Sequence, residues 1–183
     1  MQRAGRAEEA RPHAQGRRGG RARGVTERML RRAGADDAPA LSRIHLTARA
    51  AAGDAFPPPV HGDDEYLPHL LRDVLPHAEV WLAEQDGVAV GMLVLDGDLL
   101  ADLYVAPEAQ GSGVGTRLLE HAKALRPAGL TLWVFTSNRP ARAFYRRHGF
   151  EVVGGSSGAN EEGAPDLRLR WPGVDGSGAR TGR

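Results

Sequence analysis

The residues Gln110-Gly111-Ser112-Gly113-Val114-Gly115 stand between a strand-like run, Leu99 to Val105, and a helix-like run, Thr116 to Leu125. A glycine-rich turn at a helix start exposes backbone N–H groups that no residue inside the helix can accept, and the helix dipole adds positive potential there. Such a site favours an anion, most often a phosphate. Glycine lets the backbone come close to that anion and take up positive φ. The spacing is not that of a P-loop, because Gly115 is followed by Thr116 and Arg117 rather than by Lys and a hydroxyl residue. Nor is it G-x-G-x-x-G, since after Gly111 and Gly113 the third glycine falls at Thr116. What remains is Gln-x-x-Gly-x-Gly on Gln110, Gly113 and Gly115, with a plain helix-capping turn as the alternative.

A second segment bears on that choice. Asn138-Arg139-Pro140-Ala141-Arg142-Ala143-Phe144-Tyr145-Arg146-Arg147-His148-Gly149-Phe150 follows an apolar strand-like run, Leu130 to Phe135, about thirty residues downstream. The first segment resembles the acetyl-CoA pyrophosphate loop of the GNAT-type N-acetyltransferase superfamily. The second resembles that superfamily's other signature, N-x-x-A-x-x-F-Y-x-x-x-G-F. The two stand in the family's order.

The resemblance implies a site. Acetyl-CoA would lie as co-substrate where the strands Leu99 to Val105 and Leu130 to Phe135 splay apart. The backbone of Leu103, Tyr104 and Val105 would pair with its pantetheine arm, and one N–H there would polarise the thioester carbonyl. Pre-aimed donors of this kind contribute about 3 kcal/mol to a transition state. The backbone from Gly111 through Ser112, Gly113, Val114 and Gly115, with Thr116, would hold the pyrophosphate. Tyr145 resembles the family's general acid for the departing thiolate. The alternative is a core aromatic, but two adjacent helical aromatics do not both point inward, and Phe144 is the better core residue. Asn138 would meet the pantetheine arm, cap the following helix, or do both.

A lysine-like ammonium has a pKa near 10.4, so its deprotonation at pH 7 costs roughly 4 to 5 kcal/mol. A carboxylate, or water held by one, relieves that cost. Asp102 lies on the strand beside the implied acetyl site and shares a face with Tyr104. Glu161, Glu162 and Asp166 offer a second approach from the C-terminal loop, and a water chain without a dedicated base is a third arrangement. The seven histidines show no H-E-x-x-H and no other metal-ligand spacing, so no metal is expected. His148, just before Gly149, suits a helix C-terminus.

These residues need elements to hold them. Val25 to Arg32 reads as a strand, and Asp36 and Asp37 as N-cap candidates for a helix to about Ala51 with Leu41, Ile44 and Ala48 buried. Asp63 and Asp64 cap a second helix with Leu67, Leu70, Leu71 and Val74 on its apolar face. Glu79 to Glu84 and Val88 to Leu95 form a hairpin about Gln85-Asp86-Gly87. Phe150 to Val153 and Asp166 to Trp171 close the sheet, joined by a loop that includes Gly154-Gly155-Ser156-Ser157-Gly158. The order β-α-α-β-β-β-α-β-α-β-β matches the GNAT fold. That fold is α/β in the α+β sense, a mixed, mostly antiparallel sheet of about six to seven strands flanked by about four helices.

The 183 residues suit one domain. The absence of cysteine excludes disulfides and thiol nucleophiles. No run of eighteen apolar residues suggests a membrane span, residues 1–24 lack a signal's apolar stretch, and the cytoplasm is the expected compartment. Those 24 residues carry seven Arg and two Glu, while the rest of the chain is at −4. They read as a disordered Arg/Gly-rich tail, or as sequence upstream of a start near Val25 or Met29, and as only a weak nucleic-acid contact. The expected organisation is this tail, a GNAT domain over 25–172, and a featureless tail over 173–183. The expected partners are acetyl-CoA and an amine whose identity the chain does not reveal, and a homodimer is an open arrangement. The alternative function is a CoA-binding sensor or partner-binding module that performs no chemistry.

Overall fold

Asp86 and Gly87 both take positive φ, 52° and 77°. That is the backbone of a two-residue hairpin turn whose twist matches its strands. The turn joins β2 (Glu79–Gln85) to β3 (Val88–Asp96), with Gln85 opposite Val88. The structure, a computed structural model, describes residues 28–174, so the expected tail over residues 1–24 lies outside it, and of the tail expected over 173–183 only Gly173 and Val174 are described, the Val174 N–H donating to the Pro127 carbonyl. The expected first strand is described only as β1 (Arg28–Arg32). It pairs antiparallel with β2.

Gly97, with φ 58°, turns β3 into β4 (Leu99–Val105). Helix α3 (Val114–Leu125) follows, then β5 (Leu130–Phe135), α4 (Arg139–Arg147), β6 (Glu151–Ser156) and β7 (Asp166–Trp171). Between β1 and β2 lie α1 (Ala38–Ala52) and α2 (Asp63–His69). The sheet has seven strands in the order β1-β2-β3-β4-β5-β7-β6, all neighbours antiparallel except β4 and β5. The fold is therefore the mixed, largely antiparallel α/β arrangement expected.

Two cores form, one on each face of the sheet. Leu118, Leu119 and Ala122 of α3 pack with Leu93, Leu95, Leu130 and Leu132. On the other face, Leu41 and Ile44 of α1 and Leu70 pack with Val80, Leu82, Met92 and Val94. Gly91 brings α3 close to β3, because a Cβ there would stand 2.9 Å from Val114 Cγ1 and 3.0 Å from Leu118 Cδ1.

Four local expectations change. The α2 N-cap is Gly62, whose N–H donates to Glu65, and Asp63 and Asp64 occupy the first turn. Pro68 is followed by a wider π-turn over Leu70–Val74, which shifts the helical phase: Leu70 is fully buried and Leu71 is 44% exposed. Strand β6 extends through Gly154, Gly155 and Ser156, read from the sequence as loop, because they pair with Arg168, Leu167 and Asp166. Asp37 is the α1 N-cap by position, yet its carboxylate accepts from Arg31 and the Gly34 N–H rather than from the helix.

Candidate active site

The cleft begins at a bulge. Val94 pairs with Asp102 but Leu95 pairs with Leu100, so Ala101 is an extra residue in β4. Bulges bend a strand and re-aim its side chains. At this point β4 also leaves β5. The two run parallel but pair at one position, Leu99 with Thr131, and then separate. The gap opens into a cavity of about 620 Å³. Asp102, Leu103, Tyr104, Asn138 and Tyr145 all line it, so the structure gathers five of the residues singled out from the sequence.

Val105 and the segment Gln110 to Thr116 are not among that cavity's lining residues, but they join it through β4. Gln110 Nε2 donates to the Val105 carbonyl at 3.1 Å, and Ser112 Oγ donates to the Ala109 carbonyl at 2.6 Å. Gly111 and Gly113 have φ of 72° and 88°, and Gly113 is the left-handed N-cap of α3 with no side chain capping the helix. The first helical bond closes with Arg117 N–H to the Gly113 carbonyl. The N–H groups of Val114, Gly115 and Thr116 therefore have no acceptor within the helix. A Cβ on Gly111 or Gly113 would meet nothing within 4 Å, and one on Gly115 would stand 3.6 Å from Val105 and 3.7 Å from Phe144. Open space before a twelve-residue helix's free N–H groups fits a diphosphate anion.

The two faces of the sheet receive different chemistry. Leu103 and Val105 belong to the α3 side, whereas the Tyr104 ring meets His45 of α1 edge-on at 4.6 Å. Asp102, two residues before Tyr104, shares the α1 side. Its carboxyl is half-buried, and burial pushes it up to about 6 against the opposing charges of Arg49 and His69. Tyr145 comes from α4 on the other face. Burial, and then the nearby charge of Asp102, pushes its phenol well above the ordinary tyrosine range. At neutral pH the tyrosine keeps its proton while the aspartate is mostly ionised, the separation an acid and a base require.

Tyr145 faces the cleft as expected, but it, and not Phe144, is the more buried of the two rings. Tyr145 is 7% exposed and Phe144 is half-buried. Tyr145 points into the cleft, whose walls cover it, and rests near Phe150 at 5.4 Å. Phe144 sits at the α3–α4 contact beside Gly115. Burial and cleft-facing are not alternatives here.

Asn138 is the α4 N-cap, its Oδ1 accepting from the Ala141 N–H at 3.1 Å, and it also lines the cavity. Glu162 lines the cavity too, while Glu161 points to His61 at 3.6 Å. Asp166 is engaged by Ser156 and Asn160, which donate to its carboxylate at 2.7 and 2.9 Å. His148 caps α4 as expected, and its ring spans Phe144 O at 2.9 Å and Thr116 Oγ1 at 3.4 Å. It thereby ties α4 to the start of α3.

One wall of the cavity has no counterpart among the residues singled out from the sequence. Arg49 and Phe56 line the cavity, the guanidinium 4.6 Å above the ring. Behind them, His45 stacks on Tyr66 at 3.6 Å, and burial, aided by Arg49 and His69, lowers the imidazole to about 3. These residues lie on α1, the α1–α2 connection and α2, which carry no motif. The one readable signal was Arg49 in the last turn of α1, where helix-end complementarity explains it equally well.

Residues 76–152 match the Acetyltransferase (GNAT) domain. The chain is similar to the peptidyl-lysine N-acetyltransferase YjaB of Salmonella typhimurium, 41% identical over 91 residues that make up 49% of this chain and 62% of that protein. The match thus spans less than two thirds of that relative's length. It is also similar to the peptidyl-lysine N-acetyltransferase YiaC of Escherichia coli, 34% identical over 105 residues, 56% of this chain and 70% of that one. Among solved structures, apo-form YjaB from Escherichia coli superposes with a TM-score of 0.66 at 30% identity, covering 81% of this chain and 99% of that chain.

Proposed function

Because the chain belongs to the GNAT superfamily of N-acetyltransferases, we propose that residues 25–172 transfer the acetyl group of acetyl-CoA directly to a primary amine of a small molecule or peptide. The peptidyl-lysine activity named for two of its relatives is one form of that reaction. The observation that carries the reading is the pair of Asp102 and Tyr145, lining one cavity from opposite faces of the sheet with their protons held differently.

In this reading the N–H groups of Gly111 to Thr116 hold the diphosphate of acetyl-CoA. The backbone of Leu103 to Val105 and the side chain of Asn138 flank its arm. When bound, acetyl-CoA supplies an activated acyl group and a thiolate leaving group. Asp102, directly or through a water, takes the proton from the incoming ammonium. Tyr145 delivers a proton on the opposite side of the sheet. The aromatic walls of Phe56, Tyr104 and Phe135 limit water around the amine.

The pH profile tests the base. Below about 6 the Asp102 carboxyl is protonated and accepts nothing, so kcat/KM should rise with pH through a limb near 6. In Asp102→Asn that limb should vanish, leaving only the dependence that comes from the amine. Stability should move oppositely. The folded pKa lies above the ordinary 3.8, so ionising Asp102 costs nothing below about 4, begins to cost between 4 and 6, and costs fully above. Melting temperatures should show Asp102→Asn gaining on wild type as pH rises through that window. A limb that survives the substitution removes Asp102 as the base.

A further inference from the structure

The cavity has a cation on its acceptor side that the acetyl-transfer steps do not use. Arg49 stands in the last turn of α1, and its guanidinium lies over Phe56 at 4.6 Å. Phe56 is itself held edge-on against Phe135 at 6.1 Å, and Ser137 Oγ anchors the adjoining turn by donating to the Ala55 carbonyl at 2.9 Å. Stacking and anchoring hold the guanidinium at the cavity wall.

Elsewhere in the molecule, two half-buried arginines have carboxylates, and a third, Arg142, donates to the Thr136 carbonyl at 2.8 Å. Arg31 meets Asp37 and Glu84 at 2.8 and 2.7 Å, and Arg126 meets Glu79 at 2.6 Å. Among the described residues Arg49 enters no ion pair. A half-buried charge among aromatic rings loses hydration, and Arg49 regains part of it from the Tyr104 hydroxyl and from the field of Asp102 rather than from a paired carboxylate. Of the cavity's three carboxyls, Asp166 is engaged by Ser156 and Asn160, and Asp102 and Glu162 suit the opposite task of receiving an ammonium. The wall therefore presents a guanidinium and carboxyls together, complementary to a molecule that carries an amine and an anion.

We propose that Arg49 selects the acceptor: the reacting amine belongs to a molecule with a carboxylate near it, and that carboxylate seats on the guanidinium. The inference rests on the acetyl-transfer reading above and narrows its substrate class. Guanidinium and carboxylate match as two parallel N–H···O bonds, a geometry lysine does not reproduce. The carboxylate has two sources, the α-carboxylate of a free amino acid or an acidic side chain beside a lysine in a peptide.

Matched acceptors test it. One arm compares a free amino acid with its amide, and the other compares a terminally blocked peptide carrying Lys beside Glu with the same peptide carrying Gln. Thiol release from acetyl-CoA gives kcat/KM for each, in wild type, Arg49→Gln and Arg49→Lys. Wild type should prefer the acidic member of at least one arm by roughly 10- to 100-fold, as charged hydrogen bonds allow. That ratio should fall towards one in Arg49→Gln and only partly in Arg49→Lys, and the arm that responds names the source. Equal rates within both pairs in wild type leave acetyl transfer standing and overturn the inference. A uniform loss in Arg49→Gln, with the ratio unchanged, also overturns it and assigns Arg49 to Asp102 instead. Calorimetry separates the two readings: Arg49-dependent binding of carboxylate amines without turnover supports the subsite and contradicts acetyl transfer. Neither binding nor turnover contradicts both.

Discussion

Tyr145→Phe should lower kcat by about 100-fold while leaving acetyl-CoA affinity and melting temperature nearly unchanged. Proton transfer by a positioned side chain contributes about 10²- to 10⁴-fold, and the substitution removes only the hydroxyl that would make it. The phenylalanine ring keeps the contacts with Phe144 and Phe150, at 5.3 and 5.4 Å. The hydroxyl's deletion creates no charge and little cavity, so little change in melting temperature is expected. The effect should be confined to the chemical step, seen as a reduced single-turnover rate with an unchanged Kd. An unchanged rate where chemistry is limiting removes Tyr145 from the mechanism.

Gly113→Val should reduce acetyl-CoA affinity by about 100-fold in a molecule that still folds. The reason is conformational. Gly113 has φ 88°, and a Cβ there would meet nothing within 4 Å, so the cost falls on the backbone rather than on neighbouring atoms. A β-branched residue in that region is an outlier, and strain of this kind costs on the order of 1 to 3 kcal/mol. Relieving it turns the loop and re-aims the N–H groups of Val114, Gly115 and Thr116. Calorimetric titration with acetyl-CoA, alongside thermal melting, reads both effects. Intact affinity contradicts the assignment of this loop to the diphosphate.

Much of this was legible in the chain because its signals are local. Asp86-Gly87 dictates a hairpin through positive φ, Gly149 ends α4 with φ 81°, and Asn138 caps that helix through its own side chain. The glycine loop is legible for the same reason, since its chemistry is that of its own backbone. What stayed hidden depends on partners distant in sequence. The bulge at Ala101 appears only when β4 is paired with β3. Gly154 to Ser156 look like loop until β7 lies beside them. The burial of Tyr145 follows from cleft walls made by β4 and β5, which no helical periodicity in α4 reports. Arg49 and Phe56 reach the cavity only because α1 ends beside the opening between those strands. The glycine loop and α4 are written in motifs, whereas the Arg49–Phe56 wall is written in tertiary placement.

Acetyl transfer in the β4–β5 cleft, as opposed to mere retention of acetyl-CoA, is the step proposed. Its most direct measurement is the release of free thiol from acetyl-CoA by wild-type protein, with and without an amine acceptor, beside mass spectrometry of the acceptor. Thiol release that depends on the amine is expected, with one acetyl group gained by the acceptor for each thiol freed. Tight acetyl-CoA binding with no amine-dependent release across amino acids, lysine peptides and their amides would contradict it and leave a CoA-binding module in its place.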